Sequence, residues 1–179
     1  MYGDGSSPNF VEHSVVQAPT KKTRLLKAAI IAAAAVIFFL LTYLIITFAR
    51  ATIIVLPMAM VIIVYIAFIF WKYTNVEYDY TIAGGELKMC VVYGGRKRTT
   101  LFETRISAAD AIVAYNGAVP AEAVGAEKEY KCVSSMNASD IVCMVFTNED
   151  GQKCAVYFEV LKKTKGILRF YNSAAYKIV

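Results

Sequence analysis

"VEYDYTIAGGELKMCVVYGGRKRTTLF", residues 76 to 102, is the stretch on which the fold turns. Val76, Tyr78, Tyr80 and Ile82 alternate with Glu77, Asp79 and Thr81, the two-residue period of a strand with one buried face. Gly84-Gly85 separates this strand from Leu87–Tyr93, and Gly94-Gly95 separates that one from a third that starts at Arg96 and runs to Ile106. Paired glycines accept positive φ at both central positions of a tight turn, so the stretch predicts a three-stranded antiparallel meander.

Downstream the pattern continues. Residues 111–115, 128–134, 140–146 and 153–158 read as further strands, the last two joined by the turn Thr147–Gly151, and residues 116–126 as a long loop or helical turn. Leu161, Thr164, Leu168 and Tyr171, with Val160 and Ile167 beside them, then mark one face of a closing helix interrupted by Gly166. Residues 72–179 are long enough for one domain with its own core. About seven antiparallel strands and a C-terminal helix resemble, in count and order, a pleckstrin-homology-like (PH-like) domain, whose helix plugs one end of a bent barrel.

Upstream the chemistry changes. Of 179 residues, 58% are hydrophobic and 18% charged, too apolar for an ordinary soluble chain of this length. The excess lies in residues 28–49, read as a first transmembrane helix, and residues 50–71, read as a short loop and a second one; the uncharged runs 28–49 and 51–71 each have the length a helix needs to cross a bilayer. A cleavable signal peptide is disfavoured because the first run is too long and another follows at once. Arg50 alone breaks the apolarity between them, which predicts a tight transmembrane hairpin. Lys21, Lys22, Arg24 and Lys27 precede the first span and Lys72 follows the second, so the expectation is a multi-pass cell-membrane protein with both termini cytoplasmic. Trp71 and Tyr73 fit an interfacial aromatic belt beside Lys72.

Neither span carries an ionisable group, which argues against transport by this chain alone. Pro57 suggests a kink, and Ala28, Ala32, Ala35 and Ala59 allow close helix approach, by ordinary packing within the hairpin or in a homo-oligomer. Residues 1–27 read as a flexible arm with a basic juxtamembrane end, in which Asn9–Gln17 has the makings of a short surface helix with Phe10, Val11 and Val15 facing the membrane. His13 is the only histidine, and a lone imidazole there has no partner for catalysis or a metal.

Arg96-Lys97-Arg98 is the candidate binding site for anionic lipid head groups or a protein partner. On a strand Arg96 and Arg98 share a face while Lys97 points away; at a splayed hairpin end all three reach outward. From Lys72 onward the chain has 14 cations and 12 acids, a net of +2, so a general basic binder is excluded, and without a basic stripe carrying stacking aromatics no nucleic-acid partner is expected. Cys90, Cys132, Cys143 and Cys154 lack a CxxC pair and read as small buried hydrophobes rather than metal ligands. With no P-loop, no nucleophile elbow and no histidine in the folded domain, no catalytic residues and no cofactor are expected.

Three features recur in one order: Asn9-Phe10-Val11-Glu12-His13 in the arm, Glu77-Tyr78-Asp79-Tyr80 in the first strand after the spans, and the glycine-flanked Gly95-Arg96-Lys97-Arg98. In this the chain resembles, over nearly its full length, a family of clostridial and related Gram-positive membrane proteins with two N-terminal spans and a bacterial PH-like cytoplasmic domain of unknown function. The resemblance implies a non-catalytic binding or scaffold module in the membrane that recruits a protein partner or touches anionic lipid. The alternative is a structural subunit of a larger membrane complex acting through its transmembrane hairpin.

Overall fold

The computed structural model describes residues 9–48 and 52–178. Residues 1–8 of the arm and Arg50, the expected break between the spans, lie outside the described residues. The chain divides into two compact units: a helical one formed by Pro19–Val76 and Tyr93–Lys97, and a β one formed by the remaining described residues.

In the helical unit, α1 (Lys21–Phe48) and α2 (Thr52–Tyr73) are both long and apolar enough to cross a membrane. Helix α1 begins before the apolar run, so Lys21, Lys22, Arg24 and Lys27 are all helical. Lys27 Nζ donates to Asn75 Oδ1 at 2.9 Å and lies 5.0 Å from the centre of the Trp71 ring. The start of α1 is therefore level with the end of α2, and the two form an antiparallel hairpin. From residue 28 the apolar part of α1 rises for about 30 Å at 1.5 Å per residue, the thickness of a bilayer core.

Half-buried Ile30, Ala34, Phe38, Leu41 and Ile45 on α1 recur every three or four residues, as do Leu56, Ala59, Ile63 and Ala67 on α2. These stripes face one another. Of the alanines expected at the contact, Ala59 is there, whereas Ala28, Ala32 and Ala35 are exposed and Ala34 takes their role. Pro57 lies inside α2, in its second turn, where it withholds one N–H from the helical ladder.

Among the described residues the β unit holds eight strands rather than seven. One sheet runs β1 (Phe10–Val16), β2 (Val76–Ala83), β3 (Glu86–Tyr93), β4 (Lys97–Arg105) in that order. The other runs β5 (Ala109–Ala114), β7 (Ile141–Thr147), β8 (Lys153–Glu159), β6 (Lys128–Cys132). The additional strand is β1, in the segment expected as a flexible arm with a surface helix. It pairs antiparallel with β2 from Phe10↔Ala83 to Val16↔Glu77. The physical reason is period: Val11 and Val15 are buried and His13 lies between them, its ring edge-on to Tyr80 at 5.6 Å, while Phe10, Glu12, Ser14 and Val16 face out. A second departure is direction, because β6 runs parallel to β8, not antiparallel.

The β2–β3–β4 meander forms as the glycine pairs predict, with φ of +58° and +86° at Gly84 and Gly85 and +59° and +67° at Gly94 and Gly95. Tyr80, Ile82, Leu87 and Met89 project from it into the core. Every residue of Ile141–Phe146 and of Cys154–Phe158 is buried, since the second sheet is covered on both faces. Val142, Met144, Phe146, Val156 and Phe158 join the core with the first sheet and the closing helix α3 (Lys162–Tyr171). Cys143, Val145, Ala155 and Tyr157 pack instead under Ala123, Val133 and Met136 from the loops.

Helix α3 seats Thr164, Ile167 and Leu168 on the core, and the Thr164 and Tyr80 hydroxyls share a buried hydrogen bond of 3.0 Å. Leu161, expected on that face, is exposed. Beyond α3, Asn172 Nδ2 reaches the carbonyls of Ile106, Ser107 and Ala109 at 3.0, 3.3 and 2.9 Å. Ile112 N–H then donates to the Ala175 carbonyl, and Tyr176 bridges to Ile112, so the C-terminal segment covers the outer edge of β5.

Candidate functional site

Arg96 and Lys97 belong to the helical unit and Arg98 to the β unit. In the helical unit the Gly94 N–H donates to the Asn75 carbonyl at 3.0 Å, and a Cβ on Gly94 would stand 3.0 Å from the Lys72 carbonyl oxygen. Glycine is required twice over, for positive φ and for this approach. The turn so docked puts Arg96 beside Lys72 and Tyr73, where they line a small cleft of about 60 Å³. Arg96 and Lys97 are exposed and, among the described residues, have no ion-pair partner. They thus join Lys27, Trp71 and Lys72 at one end of the helix pair, the end from which Lys21, Lys22 and Arg24 also project on the first turns of α1.

Arg98 is committed elsewhere. Its guanidinium is hydrogen-bonded and ion-paired to Asp79 on β2, with Glu12 of β1 at 3.8 Å. The hydrogen bond and charge of Asp79 raise the Arg98 pKa above its already high ordinary value. Asp79 is buried on the outward face of the sheet, and Arg98 is what neutralises it. Here the arginine is a structural counter-ion.

The β unit also carries a groove of about 870 Å³ that sequence reasoning missed. Leu101–Arg105, five successive residues of β4, line one wall. Successive strand residues point to opposite faces, so a continuous run along a wall means that the strand presents its edge. Lys128 and Tyr130 of β6 line the opposite side. Both strands are outermost in their sheets, and among the described residues no backbone hydrogen bond spans the two edges. Aromatic packing holds them together: Phe102 lies 4.9 Å from Tyr130 and 5.0 Å from Phe146, ring centre to ring centre. The half-buried rings of Phe102 and Tyr130 form an apolar floor, backed by the buried Phe146 and Cys154.

The rim is acidic. Glu86 is paired with Arg105 at 3.5 Å, and Glu103 with Lys88 at 3.0 Å, which raises the Lys88 pKa. Glu149 and Asp150, in the turn between β7 and β8, are exposed and have no cation within ion-pair distance among the described residues. No signal in the sequence marks this place, because a gap between two edges is a property of pairing and not of any motif.

The four cysteines are all free and buried, each on a strand. Burial pushes the Cys143 thiol up to about 11 and the Cys132 thiol up to about 12, and it also raises Cys154. Such thiols are poor nucleophiles and poor metal ligands. His13, the other residue weighed for chemistry, is a half-buried member of β1.

Two four-stranded sheets with a C-terminal helix over the core define a PH-like domain, a class that suggests a binding or scaffold module. The chain belongs to a family of bacterial PH-like domains, DUF6106, which it matches over residues 7–177. No curated protein and no solved structure matches it.

Proposed function

We propose that this chain is a membrane-anchored, non-catalytic binding module that recruits a protein partner to the cytoplasmic face. In this reading α1 and α2 insert as a hairpin and both termini stay on the cytoplasmic side. The observation that carries it is the collection of Lys21, Lys22, Arg24, Lys27, Lys72, Arg96 and Lys97 at one end of an otherwise uncharged helix pair. Cations retained on one side set orientation, and each one near an anionic leaflet contributes about 1 kcal/mol. Arg96 and Lys97 serve the anchor in this reading, and the β unit serves recruitment.

A second reading is favoured by one feature of the helix pair. Ile30, Ala33 and Ala34 of α1 and Ile63, Ile66 and Ala67 of α2 line an apolar groove of about 220 Å³. Small residues there would admit a further helix, as in a homo-oligomer or a larger membrane complex.

The test uses the full chain in native membranes, with photo-crosslinking residues placed one at a time over the exposed surface of the β unit and at Phe39 and Met60 on the lipid side of the helices. The chain is expected to resist alkaline extraction and to crosslink a protein from the β unit, even after residues 28–71 are replaced by an unrelated two-span hairpin. Release into the alkaline supernatant would refute the anchor. Crosslinks only from the helices, lost on replacement, would favour the complex-subunit reading.

A further inference from the structure

We infer that the groove between β4 and β6 is the recruitment site, and that it takes an extended, cationic peptide segment of the partner as an added strand along the edge of β4. This rests on the binding-module reading and deepens it.

Three observations converge. The first is unmet hydrogen-bonding capacity: β4 is an outermost strand, and the edge that it presents to the groove has no backbone partner among the described residues, while β6, outermost in the other sheet, adds the side chains of Lys128 and Tyr130 to the lining. Natural sheets usually protect an edge of this kind with charges, bulges or a covering segment. The outer edge of β5 is covered by the C-terminal segment around Tyr176, whereas none of the described residues covers the Leu101–Arg105 portion of β4 in this way. The second is room: five residues of β4 offer about 16 Å of edge at roughly 3.3 Å per residue, the length of a short strand.

The third is side-chain chemistry. An added strand places alternate side chains down and up. Those pointing down meet the half-buried rings of Phe102 and Tyr130, which calls for small or β-branched apolar residues. Those pointing up meet a rim on which Arg105 is matched by Glu86 but Glu149 and Asp150 are unmatched. With Lys88, which holds Glu103, counted beside Arg105 and Lys128, the acids Glu86, Glu103, Glu149 and Asp150 exceed the bases by one. A lysine or arginine at alternate positions of the peptide fits that balance, and an acidic peptide is repelled.

The experiment uses the full chain in lipid nanodiscs and a fluorescent nine-residue probe alternating valine and lysine, with a valine–glutamate probe as its control. Saturable binding of the lysine probe is expected, weakened by salt, with slowed amide exchange at Leu101–Arg105. The double variant Glu149→Lys, Asp150→Lys changes only an exposed turn and should lower lysine-probe affinity by about tenfold or more. A probe N-methylated on alternate residues, which removes the hydrogen-bond donors of one edge, should lose binding in one of its two phases.

No saturable binding, equal binding of both probes, indifference to the charge reversal, or full binding by both methylated phases would each overturn the proposal. So would probe-free protection of β4 that grows with protein concentration, because a second copy of the chain would then be the occupant. Failure here with crosslinks mapping to another face of the β unit would leave the module reading standing and sink only the groove. Absence of any crosslink from the β unit would sink the module reading itself.

Discussion

Replacing Arg98 should damage folding, whereas replacing its two neighbours should not. The Asp79 side chain is 10% exposed and the Arg98 side chain 55% exposed, so the pair is half in water. A hydrogen bond to a charged group contributes about 1.5–3 kcal/mol, and a carboxylate left buried without its cation costs more than the bond alone. Discounting for the exposed guanidinium gives about 2 kcal/mol for Arg98→Ala, or roughly 8–16 °C in Tm for a domain of this size. Arg96→Ala and Lys97→Ala, which break no ion pair, should stay within about 0.5 kcal/mol. The assay is thermal unfolding of the full chain in detergent, followed by the near-ultraviolet signal of the buried tyrosines. A double-mutant cycle with Asp79→Ala isolates the pair, and a coupling of about 1.5–2 kcal/mol is expected. A coupling near zero, or equal destabilisation by all three single changes, would refute the assignment of Arg98 as a structural counter-ion. It follows that a triple alanine variant cannot test lipid contact, because it confounds binding with loss of Asp79's partner.

Three further outcomes follow from single side chains. Asn172→Ala should destabilise the β unit by about 2 kcal/mol, since it removes the donor shared by three carbonyls at the end of α3, and chemical denaturation reads this directly. Tyr157→Phe should be neutral or should stabilise by up to about 1 kcal/mol in the same assay, because among the described residues the buried hydroxyl has no partner of good geometry and only the weakly bonding Cys143 thiol nearby. Stability should be flat near neutral pH and fall as pH rises from about 9 towards 12: Cys132, with its thiol raised from 9.0 to about 12, keeps its proton in the folded state where the unfolded chain has lost it. Native Cys132 and Cys143 should accordingly resist a thiol reagent at mildly alkaline pH and react once the chain is denatured, which mass spectrometry of labelled peptides resolves.

What the sequence shows and what it hides divide along physical lines. The β2–β3–β4 meander is legible because alternation and paired glycines are both local signals. Strand β1 is not, although Val11, His13 and Val15 carry the right period. Its partner β2 lies beyond both apolar helices, a separation no local turn signal bridges, and the neighbouring Gly, Ser and Pro suggest a free arm. The parallel direction of β6 is hidden for a similar reason: an apolar run specifies a strand and a buried face, but not which way it enters the sheet. For the cations, alternation places Arg96 and Arg98 together, yet Arg96 sits in the turn. The readable clue was Asp79, a carboxylate on the outward face of β2, which burial obliges to find a cation.

The same distinction explains why the groove escapes sequence reading while the apolar helix pair does not. A membrane span is a property of about 20 consecutive residues and shows up as composition. The groove is the absence of a ladder between β4 and β6, bounded by residues that look ordinary one by one: Thr104, Lys128 and Tyr130 would suit the surface of any sheet. Their meaning comes from position. Phe102 reaches across to Tyr130 and Phe146, and that contact holds the sheets together at the groove without satisfying either edge. A barrel closed by a β4–β6 ladder would have no such site. Holding the edges apart over an aromatic floor leaves peptide hydrogen-bonding capacity beside apolar surface, the two things an added strand can use.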